Sequence, residues 1–366
     1  MKKSLIALAV ASAFVAPAAM ADVSMYGTAD MSIGSSSNGI NSATQISSNT
    51  TKFGIKGSED LGGGLAAVWQ IEQQVDIDNA GATNTNSGAG KNTLATRNSF
   101  LGLKSDSMGT VLMGTHDTPY KLSTRHMDVF GDGIGDNRAL MGKNHDSRLG
   151  NVIAYVSPSM SGFSAAVAYV AGAELSAEKA SAGTINTKGD AFSLAVMYDV
   201  DALKVHFGYQ NAKFGDAGTG SLGNGNSGDR AKAAKLGVGY TFGQFTVNGI
   251  YEHLSSTGTH ALANNALGRN DWTVNGIYKM DNDAVKLAYV KAGNLNNVAN
   301  SGARQYSIGY DHGLSKHTTI YGVYSNVSND TAASFGLADT STGNPTAAAA
   351  AGKSVNAFGI GIKHSF

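Results

Sequence analysis

Hydrophobic and polar side chains alternate with a period of two along many short segments of this chain. In 284–291, Val285, Leu287 and Tyr289 fall on one face and leave Lys286 on the other. The same alternation recurs in 204–210, 244–252 and 271–279. Successive side chains of a strand point to opposite faces, whereas a helix needs apolar residues three and four positions apart. These segments therefore predict half-exposed β-strands.

Short turn-rich links and long polar segments alternate between the predicted strands. The short links lie at 59–64, 105–109, 157–162, 199–202, 242–244, 280–283 and 312–316. The long segments lie near 35–49, 78–93, 117–146, 172–188, 212–230, 254–269, 292–302 and 328–353. With both termini at the short-turn end, these seven links and eight loops join sixteen strands. Such an even strand number, with short turns at one rim and long loops at the other, is typical of a transmembrane β-barrel.

Five tyrosines support this count, because each ends a strand just before a short turn. They are Tyr155, Tyr198, Tyr240, Tyr278 and Tyr310. Aromatic rings are enriched where a membrane meets water. A soluble β-sandwich is the alternative, but the faces opposite the apolar ones are polar, and compact sandwiches seldom carry loops of roughly 15 residues or more. In hydrocarbon a closed barrel pairs every backbone group, and sixteen strands enclose an interior wide enough for water.

Composition agrees with many adjacent strands and excludes several other classes. Glycine accounts for 47 of 366 residues, proline for four and cysteine for none. Without cysteine there is neither a disulfide framework nor a thiolate metal site. The formal net charge is +0, which gives no support for a nucleic-acid partner.

The first 21 residues have the pattern of an export signal. Two lysines follow Met1, an apolar run extends over 5–15, and Ala19-Met20-Ala21 forms a small-x-small cleavage site. This order is that of a secretory signal peptide, and the apolar run is shorter than the ~20 residues of a membrane-spanning helix. We therefore predict a cleaved signal peptide over 1–21 and a single barrel domain over 22–366.

Four segments resemble the trimeric general porins of Gram-negative bacteria, especially the beta-proteobacterial (neisserial-like) type. They are DVSMYG at 22–27, TKFGIKGSEDLG at 51–62, RNSFLGL at 97–103 and GIGIKHSF at 359–366. The resemblance spans the mature chain and is weakest in the loops. It implies a 16-stranded antiparallel barrel in the outer membrane, in contact with lipid and lipopolysaccharide. It also implies a homotrimer that passes small hydrophilic solutes and ions and is not an enzyme.

The same resemblance implies a constriction, because these porins fold their third long loop into the barrel. Here that loop would run from about residue 117 to 146 and contain a Gly-rich bend. Strand parity places Lys52 and Lys56 in the lumen if Phe53 faces lipid. The same parity turns Arg97 inward if Phe100 faces lipid, and it turns Arg148 inward if Ile153 and Tyr155 do.

The expected constriction brings basic wall residues opposite acidic loop residues. The wall set is Lys52, Lys56, Arg97 and Arg148, and the loop set is Asp128, Asp132 and Asp136. Opposed charges across a narrow passage create a transverse field and set ion selectivity. The alternative is that these charges only hold the loop to the wall through salt bridges.

The last strand resembles the signal that the barrel-assembly machinery reads in porins. Its terminal aromatic residue shares a face with three earlier apolar residues, and the set is Phe358, Ile360, Ile362 and Phe366. The resemblance therefore implies that this machinery is a partner of the chain.

Other motifs are weaker. The nine histidines show no two-His helix spacing and have no cysteine partner, which gives no support for a zinc site. The Gly-rich run at 218–228 lacks the closing Lys-Ser/Thr of a phosphate loop. Asp132-Gly133 lacks the terminal Glu of a calcium loop. We predict no cofactor and no metal.

Three rival functions stay open: a substrate-specific channel for an anion or sugar acid, an outer-membrane enzyme, and an adhesin or structural barrel.

Overall fold

A closed antiparallel barrel accounts for the part of the chain that the structure describes. The computed structural model describes residues 22–78, 94–142, 145–171, 189–213, 230–257, 268–337 and 350–366. The predicted signal peptide, most of four predicted long loops (78–93, 172–188, 212–230 and 254–269) and part of a fifth (328–353) lie outside these ranges. The barrel closes because the first strand pairs with the last, from Thr28 opposite Ser365 to Ser37 opposite Asn356.

Sixteen strands form this barrel, as the alternation predicts. Their bounds are β1 Asp22–Ser37, β2 Ser42–Ser48 and Lys52–Gly62, β3 Leu65–Gln74, β4 Ser99–Ser105, β5 Gly109–Asp117, β6 Arg148–Val156, β7 Phe163–Val170, β8 Asp190–Val200, β9 Leu203–Lys213, β10 Arg230–Phe242, β11 Phe245–Thr257, β12 Arg269–Met280, β13 Asp283–Ala292, β14 Ala303–Gly313, β15 Thr318–Asn329 and β16 Val355–Ser365. Strand β2 is interrupted at Thr50, whose φ is 53°. Both segments of β2 pair with β1, so they are one strand of the barrel.

The two faces of each strand meet different surroundings. On β12 Asp271, Thr273 and Asn275 are buried toward the interior, whereas Trp272 and Val274 are exposed on the outside. An apolar outer face and a polar inner face are the arrangement of a membrane barrel, because lipid replaces water on the outside.

The five predicted boundary tyrosines lie next to the short turns. The hydroxyl of Tyr155 donates to the carbonyl oxygen of Met108 at 2.8 Å. The ring of Tyr278 lies 4.3 Å, centroid to centroid, from that of Phe245, and the ring of Tyr198 lies at the same distance from that of Phe163. These contacts place an aromatic girdle at the short-turn rim.

The predicted bounds of the first long loop, 35–49, are wrong, because the loop is much shorter. Strands β1 and β2 continue to Ser37 and from Ser42, and only residues 38–41 connect them. The Asn38 side chain closes this turn by accepting from the amide of Asn41 at 2.8 Å. The ends of β1 and β2 near this turn are rich in serine, so both faces are polar and the alternation of apolar and polar residues is lost. The backbones nevertheless stay paired, which the sequence pattern does not indicate.

The described residues of loop 3 (118–142 and 145–147) lie inside the barrel. Its helix α1 spans Pro119–Arg125 and begins at Thr118, whose side chain accepts from the amide of Lys121. Helix α1 contacts β7, β8, β9 and β10, which follow the strand β6 that holds the C-terminal end of the loop. The loop also contains a 3-10 helix, Asn137–Ala139. Among the described residues no helix is long and apolar enough to cross a membrane.

Candidate pore constriction

Two of the predicted loop acids shape the bend of loop 3 from within. The Asp128 carboxylate accepts from the amides of Phe130 and Asn137, each at 2.9 Å. The Asp136 carboxylate accepts from the amides of Asp132 and Arg138, each at 2.8 Å, and so caps the 3-10 helix. Both carboxylates satisfy backbone donors that are buried in the bend, where a lost partner would be costly.

The acids of the bend are paired with arginines of the same loop. Arg125 Nη2 lies 2.7 Å from Asp132 Oδ1 and 2.8 Å from Asp136 Oδ2. Arg138 Nη2 lies 2.8 Å and 2.7 Å from the same two atoms. The Asp136 side chain is 0% exposed, whereas 39% of the Asp132 side chain is exposed. Asp132 is therefore the member of this network that solutes in the lumen can reach.

Burial and charge act in opposite directions on the pKa values of these acids. Burial alone would raise the pKa of Asp136, but the guanidinium groups of Arg125 and Arg138 outweigh it and hold that pKa well below its usual range. Burial, together with the nearby Asp136 carboxylate, raises the pKa of Asp128 to about 7. The bend therefore carries less negative charge at neutral pH than three independent aspartates would.

Polar contacts hold loop 3 against the wall at β10 and β11. Glu252 on β11 accepts a hydrogen bond from the Tyr120 hydroxyl and another, at 2.8 Å, from the Gly142 amide. Lys235 Nζ on β10 lies 2.6 Å from Asp146 Oδ1. Apolar packing adds to these contacts, because Met127, Leu140 and Met141 of the loop pack against inward-facing Ile250, Val290, Ala303 and Val327. The loop is thus fixed along its length.

The predicted wall residues gather around two acids. Arg97 Nε lies 2.6 Å from Glu72 Oε1, and Lys52 Nζ lies 3.9 Å from Glu72 Oε2. The Tyr26 hydroxyl donates to Glu72 Oε2 at 2.9 Å, and Lys56 Nζ stands 5.3 Å from the centre of the Tyr26 ring. Lys52, Lys56 and Arg97 therefore lie together on the inner wall beside Glu72.

Arg148 joins this region through Asp117. Its Nη2 lies 3.2 Å from Asp117 Oδ1, and its Nε donates to Asn98 Oδ1 at 2.7 Å. Asp117 also accepts from Lys121 Nζ of helix α1 at 2.8 Å. In the described part of the chain, Lys52, Arg97 and Arg148 of the wall are thus paired with Glu72 and Asp117, Lys56 lies over the Tyr26 ring, and the loop acids are paired with Arg125 and Arg138.

The comparison with known proteins identifies the family of this barrel. The family model for a Gram-negative porin matches residues 7–332.

The chain belongs to the Gram-negative porins.

Several known outer-membrane proteins are similar to this chain. Outer membrane porin protein 32 of Delftia acidovorans is 28% identical over 385 residues, which cover 100% of both chains. Major outer membrane protein P.IB of Neisseria meningitidis is 37% identical over 180 residues, which cover 46% of this chain and 49% of the relative. The solved structure of an anion-selective porin from Comamonas acidovorans has a TM-score of 0.76 at 23% identity, covering 94% of this chain and 100% of that chain. This porin is therefore an outer-membrane diffusion channel and not an enzyme.

Sequence parity is wrong for one strand of this porin. Phe100 does not face lipid, because it pairs with Gly114 and packs against the buried inner cluster that includes Leu112 and Val152. Leu101 is the outward residue instead. Arg97 precedes β4, so parity does not govern it, and its backbone amide donates to the Glu72 carbonyl oxygen at 3.0 Å.

Five charged residues of the constriction were not expected from the sequence. They are Glu72, Asp117, Lys121, Arg125 and Arg138. The alternation of β3 could have indicated Glu72, because it shares a parity with Gln70 and Gln74 on the polar face. The loop arginines had no comparable signal, because an irregular segment has no fixed period.

Proposed function

We propose that this porin is a weakly anion-preferring diffusion pore for small hydrophilic solutes, with its eyelet between the basic wall and loop 3. The observation that carries this proposal is unequal burial. Among the acids, the Asp132 side chain is 39% exposed, but those of Glu72 and Asp136 are only 7% and 0% exposed. On the basic side, 30% of the Lys52 side chain is exposed, and Lys56 is also open to the lumen. Solutes therefore meet more basic than acidic surface.

The balance of charges around the eyelet agrees with this preference. The basic groups are Lys52, Lys56, Arg97, Lys121, Arg125, Arg138 and Arg148, and the acidic groups are Glu72, Asp117, Asp128, Asp132 and Asp136. An excess of two positive charges lining a narrow passage raises the local concentration of anions. The anion-selective porin of similar fold supports the same sign.

Within this proposal the predicted eyelet residues have two roles. Lys52, Lys56, Arg97 and Arg148 supply the basic wall, and Asp132 supplies the opposing acidic group. Asp128 and Asp136 hold the bend of loop 3, because their oxygens are occupied by backbone amides and arginines.

Reversal potentials in a planar bilayer under a KCl gradient test this proposal. We expect the wild-type potential to have the sign of anion preference. R97A and R148A each remove a wall charge and leave Glu72 or Asp117 less neutralised, so each should move the potential toward cation preference. Arg304 is the matched control, because it lies on the outer face of β14 and pairs with Asp330 at 3.3 Å.

The control separates pore electrostatics from general effects of charge. R304A should leave the reversal potential at the wild-type value. Unchanged reversal potentials in both R97A and R148A would contradict the eyelet assignment. The absence of channel current from folded protein would instead favour a plugged barrel, such as an adhesin or an enzyme.

We also propose that residues 1–21 are removed on export, that 22–366 form one domain, and that the barrel assembles as a homotrimer amid lipid and lipopolysaccharide. The outward, exposed Phe358, Ile360, Ile362 and Phe366 support recognition of β16 by the barrel-assembly machinery. N-terminal sequencing of the mature protein should begin at Asp22. F366A should lower the yield of heat-modifiable trimer in the outer membrane, whereas substitution of the outward Ile33 on β1 should not.

A further inference from the structure

Two histidines and an aspartate meet where helix α1 ends against the barrel wall. His126 follows the last residue of α1, Asp199 lies on β8, and His206 lies on β9. Asp199 is paired across the strands with Lys204, two residues before His206, so both side chains lie on the inner face. One ligand atom from each of the three residues lies within 4.8 Å of the others.

Both ring nitrogens of His206 lie within hydrogen-bonding distance of an acceptor, but a neutral imidazole can donate to only one of them. Nδ1 lies 2.6 Å from the carbonyl oxygen of Ser123, and Nε2 lies 3.1 Å from Asp199 Oδ2. Both neighbours are acceptors, but a neutral imidazole has only one N–H to donate. If Nδ1 donates to Ser123, the lone pair of Nε2 faces a carboxylate oxygen. A cation between Nε2 and Oδ2 would satisfy both atoms.

The surroundings of His206 match those of a metal ligand. Ligating histidines usually donate their second nitrogen to a carbonyl or carboxylate, which fixes the ring and its tautomer. The Ser123 carbonyl fills that role here. The His126 ring lies 4.7 Å from the His206 ring, centroid to centroid, which brings a second imidazole to the same place.

We propose that His126, Asp199 and His206 form a binding site for a divalent transition-metal ion such as Zn²⁺, Ni²⁺ or Cu²⁺. Two imidazoles and a carboxylate suit these ions, and His126 and Asp199 are exposed, so water can complete the coordination. Lys204 Nζ lies 2.7 Å from Asp199 Oδ1, and Oδ2 remains directed toward His206. The nearby ammonium weakens the site, so we expect affinity in the micromolar range rather than tighter.

The bound ion would link loop 3 to the wall, because His126 belongs to the loop and the other two ligands belong to strands. This link adds to the contacts of Tyr120 and Asp146 with β10 and β11 at other points of the loop. The site stands on these three side chains and does not depend on the sign of the pore's ion selectivity.

Calorimetric titration of the chelator-treated, folded porin with Zn²⁺ tests the proposal. We expect one saturable site per chain in wild type and an affinity at least about tenfold lower in H126A. H253A is the matched control, because His253 pairs with Asn270 at 2.6 Å on the outer face of β11 and should bind as wild type does. His126 is exposed, so H126A removes a ligand without deleting a buried side chain.

Electron paramagnetic resonance of bound Cu²⁺ identifies the ligands directly. Wild-type protein should show coupling to two imidazole nitrogens, and H126A should show coupling to one. The proposal is overturned if wild type lacks a saturable site, or if H126A binds Zn²⁺ as tightly as wild type with an unchanged Cu²⁺ spectrum.

Discussion

Arg97 Nε and Glu72 Oε1 lie 2.6 Å apart on the inner wall, so a carboxylate of β3 offsets the positive charge of Arg97. The Tyr26 hydroxyl donates to the other oxygen of Glu72 at 2.9 Å. Glu72 thereby sets how much of the positive charge of the wall reaches the lumen.

Replacing Glu72 by Gln should strengthen anion preference. The amide keeps the shape of the side chain but removes the charge that offsets Arg97. One unit charge several ångströms from a passing ion in water is worth about 0.5 kcal/mol, and its removal acts on Cl⁻ and K⁺ with opposite sign, so the permeability ratio of Cl⁻ to K⁺ should rise up to about fivefold. The reversal potential measures this ratio, and it should move opposite to that of R97A. E59Q, on the outer surface near the first turn, is the control, and an equal shift in E59Q would count against the assignment.

Replacing Lys235 by Met should loosen loop 3 from β10. The Lys235 side chain is 2% exposed and is paired with Asp146, so its loss leaves a carboxylate in a site with little water. Breaking a buried pair from one side costs about 3–5 kcal/mol. We expect a lower midpoint of thermal unfolding and noisier single-channel current, with partial recovery in the double variant K235M/D146N.

The exposed pair of Arg304 and Asp330 gives the comparison for this variant. R304M should cost no more than about 1 kcal/mol, because exposed ion pairs contribute little to stability. If K235M and R304M lower the unfolding midpoint equally, the Lys235 pair does not anchor the loop.

Replacing Gly208 by Val should push helix α1 away from β9. A Cβ at this position would lie 2.4 Å from Ser123 Oγ and 3.2 Å from the carbonyl oxygen of Tyr120. Overpacking of this kind costs about 1–3 kcal/mol, and moving the helix changes the width of the passage. We therefore expect altered single-channel conductance as well as a lower unfolding midpoint.

Gly249 provides a strand glycine without such a neighbour. It faces outward on β11, and the nearest atom to an added Cβ is the carbonyl oxygen of Thr273 at 3.9 Å. G249V should retain wild-type conductance, so a change of equal size in both variants would argue against contact between α1 and β9 as the cause.

The barrel itself could be predicted from the sequence because lipid and lumen impose opposite demands on neighbouring residues. Val274 and Thr273 show this contrast, since one faces lipid and the other is buried toward the pore. The pattern weakens where this contrast is lost. Phe100 faces inward against Leu112, because the inner wall near loop 3 is itself apolar, and parity then assigns the wrong face.

The charge pairs of the constriction could be predicted only in part. The basic wall residues stand on or beside strands, where parity and family resemblance indicate a side. Arg125 and Arg138 lie in the irregular part of loop 3, and their pairing with Asp136 depends on how the bend folds back on itself. Likewise His126 and His206 meet only through the docking of the loop, so their spacing in the sequence carries no signal of a shared site.

Acidification should weaken loop docking through His145. This side chain is buried beside Gln210 and Tyr120, and burial lowers its pKa to about 4. In unfolded protein the pKa is about 6.5, so the unfolded state binds the proton first. Stability is therefore lost as the pH falls from about 6.5 to about 4 and levels off below, with a total of about 3 kcal/mol.

Comparison with H145Q isolates this effect. Asp128, with its pKa raised to about 7, has the opposite dependence, because its protonation at falling pH favours the folded state. Asp132 and Asp136, with lowered pKa values, lose their contribution only below about pH 4. All three acids are present in both proteins, so the difference in thermal-unfolding midpoint between wild type and H145Q reports His145 alone. Between pH 6.5 and 4 the unfolding midpoint of wild type should fall relative to that of H145Q. Parallel pH profiles of the two proteins would show that His145 does not take up a proton on unfolding.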